Sequence, residues 1–155
     1  SLNALRAGAP LSLTEIDAGA AQCPAGANGA LFYPYITPAT YPPEAAGCPS
    51  TLLGLTITQD GFAVARAVME GVVYQVLWML EAFGGQPAGG LMLTGGAAVL
   101  AGIGAGLFRD ARQGSRAMAS QTRTVYPNEQ NRPVYEEGYR RFKSTLRALQ
   151  ACYRE

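Results

Sequence analysis

The stretch from Asp60 to Gly85 leaves the chain little choice but one long helix. Asp60 offers a carboxylate to the orphan amides of a first turn, and Gly84-Gly85 supply the left-handed residues that stop a helix. Between them Phe62, Ala65, Val68, Val72, Val76 and Met79 recur at the three-to-four spacing of one face, which Val73, Leu77 and Leu80 widen. The spacing predicts a mostly buried helix running to Phe83. Ahead of it Gly54-Leu55-Thr56 reads as a short strand. Beyond it Leu91-Met92-Leu93 is an apolar run bounded by Gly90 and Gly95, which reads as a buried strand feeding a tight turn. A backbone bare of side chains at the end of a core strand can approach a ligand closely. Thr94, Gly95, Gly96 and Ala97 are therefore the candidate site.

The flanks are read in the same terms. Leu2, Leu5, Leu11 and Leu13 are apolar anchors, Ser12 or Thr14 can cap a short helix over Glu15 to Ala21, and Pro24-Ala25-Gly26 ends it. Ala30 to Ile36 is an aromatic-rich strand interrupted by Pro34, and Pro38, Pro42, Pro43 and Pro49 make the next stretch an irregular loop. Ala97 to Phe108 is expected to be a buried helix whose Gly102, Gly104 and Gly106 are small residues at a close helix contact. The three glycines do not form a GxGxxG phosphate loop. Arg109, Arg112, Arg116 and Arg123 recur around Asp110 and read as a solvated helix face rather than a phosphate or RNA patch. A last helix, Pro133 to Tyr153, should pack through Val134, Tyr135, Tyr139, Phe142, Leu146 and Leu149. Its Arg140, Arg141, Lys143 and Arg147 should face solvent.

Composition bounds the function. A chain of 155 residues is one domain with a proper core. Only 15% of its residues are charged, against an average of about 25%, so part of the surface is expected to face another domain. A net charge of +1 gives no field for nucleic acid or an anionic membrane. With no histidine, His-based triads and His-ligated metals are excluded, and Cys23, Cys48 and Cys152 lack the spacing of a disulfide framework or a zinc site. Leu91 to Phe108 is about as long as a membrane span requires, yet its glycines make one continuous helix costly, so no membrane segment is expected. No signal peptide is read at Ser1 to Leu13, and a cytoplasmic protein fits. A first residue that is serine suggests a piece, or a processed form, of something longer.

Several words in order resemble one family. Gly54-Leu55-Thr56, the Arg66-Ala67-Val68-Met69-Glu70-Gly71 segment of the helix, and Leu93-Thr94-Gly95-Gly96-Ala97 resemble the C-terminal, nucleotide-binding half of the FGGY carbohydrate kinases, the xylulokinase-like group. Phe32-Tyr33-Pro34-Tyr35 is similar to that family's F-x-P-Y strand end. Ala97 to Phe108 is similar to its AAxLAGxGxG helix, and Tyr126-Pro127 with Tyr135 to Leu149 to its closing helix. The resemblance implies an α/β fold, an incomplete actin-like ATPase (ribonuclease H-like) domain over residues 1–155. The N-terminal sugar-binding domain is absent from this chain.

The resemblance also implies an activity: ATP, held with magnesium, phosphorylating a hydroxyl of a sugar or polyol. Thr94, Gly95, Gly96 and Ala97 would border the nucleotide, and an aspartate of the other domain would accept the hydroxyl proton. An ordinary strand-to-helix turn is the plain alternative for those glycines. Arg66 and Glu70, four apart, read first as a helix-supporting ion pair beside Gly71, which permits close packing. The chain departs from the family in three places. Thr37-Pro38-Ala39-Thr40-Tyr41-Pro42 stand where a G-E-R-x-P loop is usual, and a block is missing between Ala97 and Val99. No aspartate among Asp17, Asp60 and Asp110 sits in a matching motif, so no catalytic base is transferred. A non-catalytic, degenerate kinase domain serving as a binding or assembly module is the second reading. The substrate and any homo-oligomer formation stay open.

Overall fold

The computed structural model describes residues 11–37, 42–82, 84, 104–107, 109–118 and 125–153. The elements in chain order are α1 (Leu13–Gln22), β1 (Leu31–Tyr33), β2 (Thr51–Leu53), α2 (Gly61–Ala82), α3 (Ala111–Met118) and α4 (Arg132–Tyr153). The chain divides into two units, residues 1–85 with 128–155, and residues 86–127. Within the second unit α3 opens on Asp110, whose carboxylate accepts from the Gln113 amide at 2.8 Å. Arg109, Arg112 and Arg116 are exposed, the solvated face that their spacing predicts. Gly106 has φ 73°, and a Cβ on Gly104 or Gly106 would meet nothing within 4 Å. Among the described residues these two glycines are exposed and make no close helix contact, and the remainder of the expected helix, residues 97–103 and 108, lies outside the described residues.

In the first unit the local signals act as expected at helix ends. Ser12 caps α1, accepting from the Glu15 amide while the Glu15 carboxylate accepts from the Ser12 amide at 2.8 Å, a reciprocal capping box. Asp60 Oδ1 accepts from the Phe62 and Ala63 amides at 3.0 and 2.9 Å and so opens α2. Gly84, at φ 71°, closes it with an amide bond to the Glu81 carbonyl.

The strands sit differently from the expectation. β1 and β2 pair antiparallel, Phe32 opposite Leu52, and β2 lies just before the Gly54-Leu55-Thr56 stretch that reads as a strand in sequence. Gly54, at φ 74°, turns the chain away, and the Gln59 side chain then ties Thr56 N and Gly54 O into a compact turn. Pro34 cuts β1 short as well: the Tyr35 amide reaches back to the Tyr33 carbonyl at 3.0 Å in a tight turn.

The core lies between β1, α2 and α4. Tyr33, Phe142 and Leu146 are fully buried, with Tyr35, Tyr74, Trp78, Tyr139, Leu31, Ala45 and Cys48 around them. Phe142 is the hub: its ring lies 4.5 Å from that of Tyr33, 5.6 Å from Tyr74, and 6.2 Å from Trp78 edge-on. Buried phenols need partners, and most find them. Tyr33 donates to the Phe142 carbonyl at 2.9 Å and Tyr35 to Gln75 Oε1 at 2.6 Å, while Tyr74 Oη, pressed against Gly138, makes no hydrogen bond among the described residues.

The long helix turns a different side inward from the one its large residues mark. Ala63, Ala67, Gly71, Tyr74 and Trp78 are buried, whereas Met69, Val72, Val73 and Val76 are exposed. The expectation of a mostly buried helix with Val72, Val73 and Val76 inward is therefore corrected. The reason is distance: α2 lies so close to β1 that only small residues fit at the crossing, and a Cβ on Gly71 would collide with the Phe32 carbonyl. Gly71→Ala should accordingly cost about 3 kcal/mol, because the obstacle is backbone that cannot yield, while Val73→Ala should change stability by no more than about 0.5 kcal/mol. Urea unfolding of the two variants checks both values.

Candidate functional site

The candidate nucleotide residues Thr94, Gly95, Gly96 and Ala97 lie outside the described residues, as does the loop from Pro38 to Tyr41. The described parts of the family-like signature are Phe32 to Tyr35, Gly54 to Thr56, the Arg66 to Gly71 segment, and Tyr126-Pro127 with Tyr135 to Leu149. Their geometry can be built up from α2.

Arg66 and Glu70 stand one turn apart on α2, Nε to Oε1 at 2.8 Å, with side chains only 16% and 9% exposed. The guanidinium is a fork, and its other two arms leave the helix. Nη1 donates to the Ala20 carbonyl at the end of α1 at 3.1 Å, and Nη2 donates to the Tyr135 hydroxyl on α4 at 2.7 Å. Glu70 Oε1 also accepts from the Gly26 amide at 3.1 Å. One ion pair therefore ties α1, the Gly26 turn, α2 and α4 together. Burial lowers the guanidinium's proton affinity, but the bond to Glu70 and the Tyr135 contacts outweigh it, and the net effect is upward. The pair has no open face for chemistry and acts as a structural fastener, as its spacing suggests.

The segment that Glu70 holds is unusual. Gly26, Ala27, Asn28 and Gly29 have φ of 82°, 47°, 53° and 86°, four successive residues in the left-handed region. Ala27 and Asn28 carry side chains that disfavour this conformation, at about 1–3 kcal/mol for each such residue. Three elements over-determine it: Glu70 takes the Gly26 amide, Gln59 Nε2 donates to the Asn28 carbonyl at 3.0 Å, and Arg141 Nη2 of α4 donates to the Gly29 carbonyl at 3.0 Å. Beside it, Gln22, Cys23, Asn28, Thr58, Asp60 and Phe62 help to line a cavity of about 400 Å³ at the start of α2. Cys23 donates its thiol to the Gly19 carbonyl, and burial, then the Asp60 charge, push its pKa up, so it is a poor nucleophile.

A second polar contact locks α4 at the far end of α2. Tyr139 donates to Glu81 Oε2 at 2.6 Å and Lys143 Nζ lies 3.0 Å from the same oxygen, so Lys143 is not the purely solvent residue that its helical position suggests. Among the described residues no three His, Cys, Asp or Glu side chains cluster to hold a metal ion. Also among them α2 is long and apolar enough to cross a membrane, but Arg66 and Glu70 sit in its first half and one side is buried against the sheet and α4. That is the pattern of a core helix. Sequence reasoning missed Tyr135, Gln59 and Arg141 as partners. A Gly-x-x-Gly turn spanning residues 26–29 was the one local signal that could have pointed to them.

The comparisons address this same stretch of chain. The model of the C-terminal domain of the FGGY family of carbohydrate kinases matches residues 3–103. The chain belongs to that family. No curated protein matches. The FGGY chain resembles a xylulose kinase from Rhodospirillum rubrum with a TM-score of 0.69 at 23% identity, over 98% of this chain and 37% of that one. A gluconate kinase from Lactobacillus acidophilus gives 0.65 at 20% identity, over 98% of this chain and 38% of that one. A ligand-bound xylulose kinase from the same organism gives 0.63 at 20% identity, over 92% and 36%. At these identities the likeness is one of fold. The FGGY chain spans less than two-fifths of the length of each of these kinases.

Two expectations follow from the fasteners. Arg66→Ala should destabilise the protein by about 3 kcal/mol, since it leaves Glu70 inside without its charge partner, and Arg66→Lys should recover only part of this because an ammonium cannot reach all three acceptors. Urea midpoints with an unchanged slope would establish it. The second concerns acid. The Tyr139 hydroxyl first, then Lys143, hold the Glu81 carboxyl below its ordinary 4.5, so its contribution is present above that pH and lost as pH falls through the lowered value. The difference in melting temperature between wild type and Glu81→Gln should thus be largest near neutrality and shrink towards zero in acid.

Proposed function

We propose that the chain is the nucleotide-binding half of an ATP-dependent sugar or polyol kinase. Its fold is read as an incomplete version of the actin-like, ribonuclease H-like domain. The observation that carries the reading is the family match over residues 3–103, which takes in the Arg66 to Gly71 helix and the Thr94 to Ala97 stretch together. In the proposed reaction the terminal phosphorus of ATP forms a bond to a carbohydrate hydroxyl oxygen as its bond to the ADP oxygen breaks. The hydroxyl proton passes to an aspartate supplied by the part of the enzyme outside this chain. Thr94, Gly95, Gly96 and Ala97 are assigned to the nucleotide edge, where glycine backbone allows close approach.

Three of the described carboxylates are otherwise engaged. Asp60 caps α2, Glu70 serves Arg66, and Glu81 serves Tyr139 and Lys143. These residues do not form a magnesium site, and no step is assigned to the metal through them. On this reading the domain holds the nucleotide, while the sugar-binding domain, outside the chain, supplies base and specificity.

A non-catalytic binding module is the second reading, favoured by the loop from Thr37 to Pro42, which lacks the family's glutamate and arginine. Thermal unfolding of the chain with Mg-ATP separates the two. A ligand at 100 times its dissociation constant adds about 2.7 kcal/mol to native stability. The kinase reading expects a rise in melting temperature with Mg-ATP that Gly95→Asp abolishes; no rise for wild type at millimolar nucleotide leaves the binding module.

A further inference from the structure

Four left-handed residues in a row are not a resting conformation for Gly26-Ala27-Asn28-Gly29; they are held there. The holders come from three places, Glu70 on α2, Gln59 on the loop after β2, and Arg141 on α4, and each grips backbone rather than side chain. Gln59, half-buried, is itself braced. Its amide also bonds the Gly54 carbonyl, and its carbonyl oxygen accepts from the Thr56 amide at 2.6 Å, so the loop bearing it is itself rigid. Asn28 and Thr58, one from each side of that bridge, line the cavity of about 400 Å³, and Cys23 lines it too.

We propose that the 26–29 turn is a strained clasp, closed by Gln59 across the cavity at the start of α2, and that it opens as a local unit without unfolding of the core. The ordering of stabilities supports this. The clasp is held by two surface side-chain hydrogen bonds, the part-buried Glu70 bond and a small cluster of Ala27 with Ala30 and Ala67, whereas α2 and α4 meet through the far larger Phe142, Tyr74 and Trp78. Relaxation of Ala27 and Asn28 to right-handed backbone offsets part of the loss of those bonds, so the open state lies close in free energy. Opening releases Asn28 from the cavity wall and makes the Cys23 thiol, half-buried in the closed turn, more accessible. The inference is independent of nucleotide binding, since none of these residues belongs to the proposed nucleotide edge.

Native-state hydrogen exchange on the 155-residue chain tests it. The amides of Ala27, Gly29 and Ala30, which bond to Pro24, Gly26 and Ala27 carbonyls, should exchange together and faster than the amides of Tyr74 and Gln75 in mid-α2. Gln59→Ala, at a half-buried loop position, should speed them about three- to tenfold, the effect of one hydrogen bond to the turn lost, and leave the α2 amides unchanged. Asn28→Val, a β-branched residue where φ is positive, should act in the same direction. Exchange of the turn at the α2 rate in wild type, or acceleration of both sets in step, would overturn the local opening. Thiol labelling reads the cavity. In a Cys152→Ser background Cys23 should react faster in Gln59→Ala while buried Cys48 does not. An unchanged Cys23 rate alongside faster exchange would refute the link between the clasp and the cavity.

Discussion

The described architecture turns on the Arg66 guanidinium. A planar fork with several donors can satisfy acceptors in three directions at once, and here they belong to α1, α2 and α4. Because the pair is largely removed from solvent, its geometry is rigid. The elements it joins inherit that rigidity, as does the Gly26 turn, through Glu70.

Around this fastener the fold is organised by closeness. The approach of α2 to β1 is set by Gly71 lying against the Phe32 carbonyl, which brings Tyr74 and Trp78 onto the same side as Phe142 and Tyr33. The aromatic hub then places α4. One turn apart near its start, Tyr135 and Tyr139 meet Arg66 and Glu81, so the closing helix is fixed by polar contacts ahead of the apolar contacts of Phe142 and Leu146.

Much of the secondary structure is legible residue by residue. Ser12 with Glu15, Asp60 and Gly84 mark helix ends through bonds within four residues, and such bonds need no knowledge of the rest of the chain. The strand positions were less legible. Gly54-Leu55-Thr56 has the composition of a strand, yet a positive φ at Gly54 and the Gln59 side chain make it a turn. The family was readable from words in order, and the matching family model bears it out. The partners of Arg66 were not, since Tyr135 lies 69 residues away and no local period records it.

What the sequence determined by itself is the set of local conformations that short-range hydrogen bonds and side-chain shape impose: capped helices, glycine stops, a proline-shortened strand, and the exclusion of histidine chemistry. Tertiary structure decided which side of α2 faces inward. Hydrophobic spacing favoured Val72, Val73 and Val76, but transfer from water rewards burial of any apolar side without saying how near the neighbour will be. Once β1 lies against α2, only the alanine and glycine side fits, and the steric limit at Gly71 outranks the greater area of the valines. The left-handed turn at 26–29 belongs to the same class. Two glycines permit it, but only side chains from three distant elements hold Ala27 and Asn28 there.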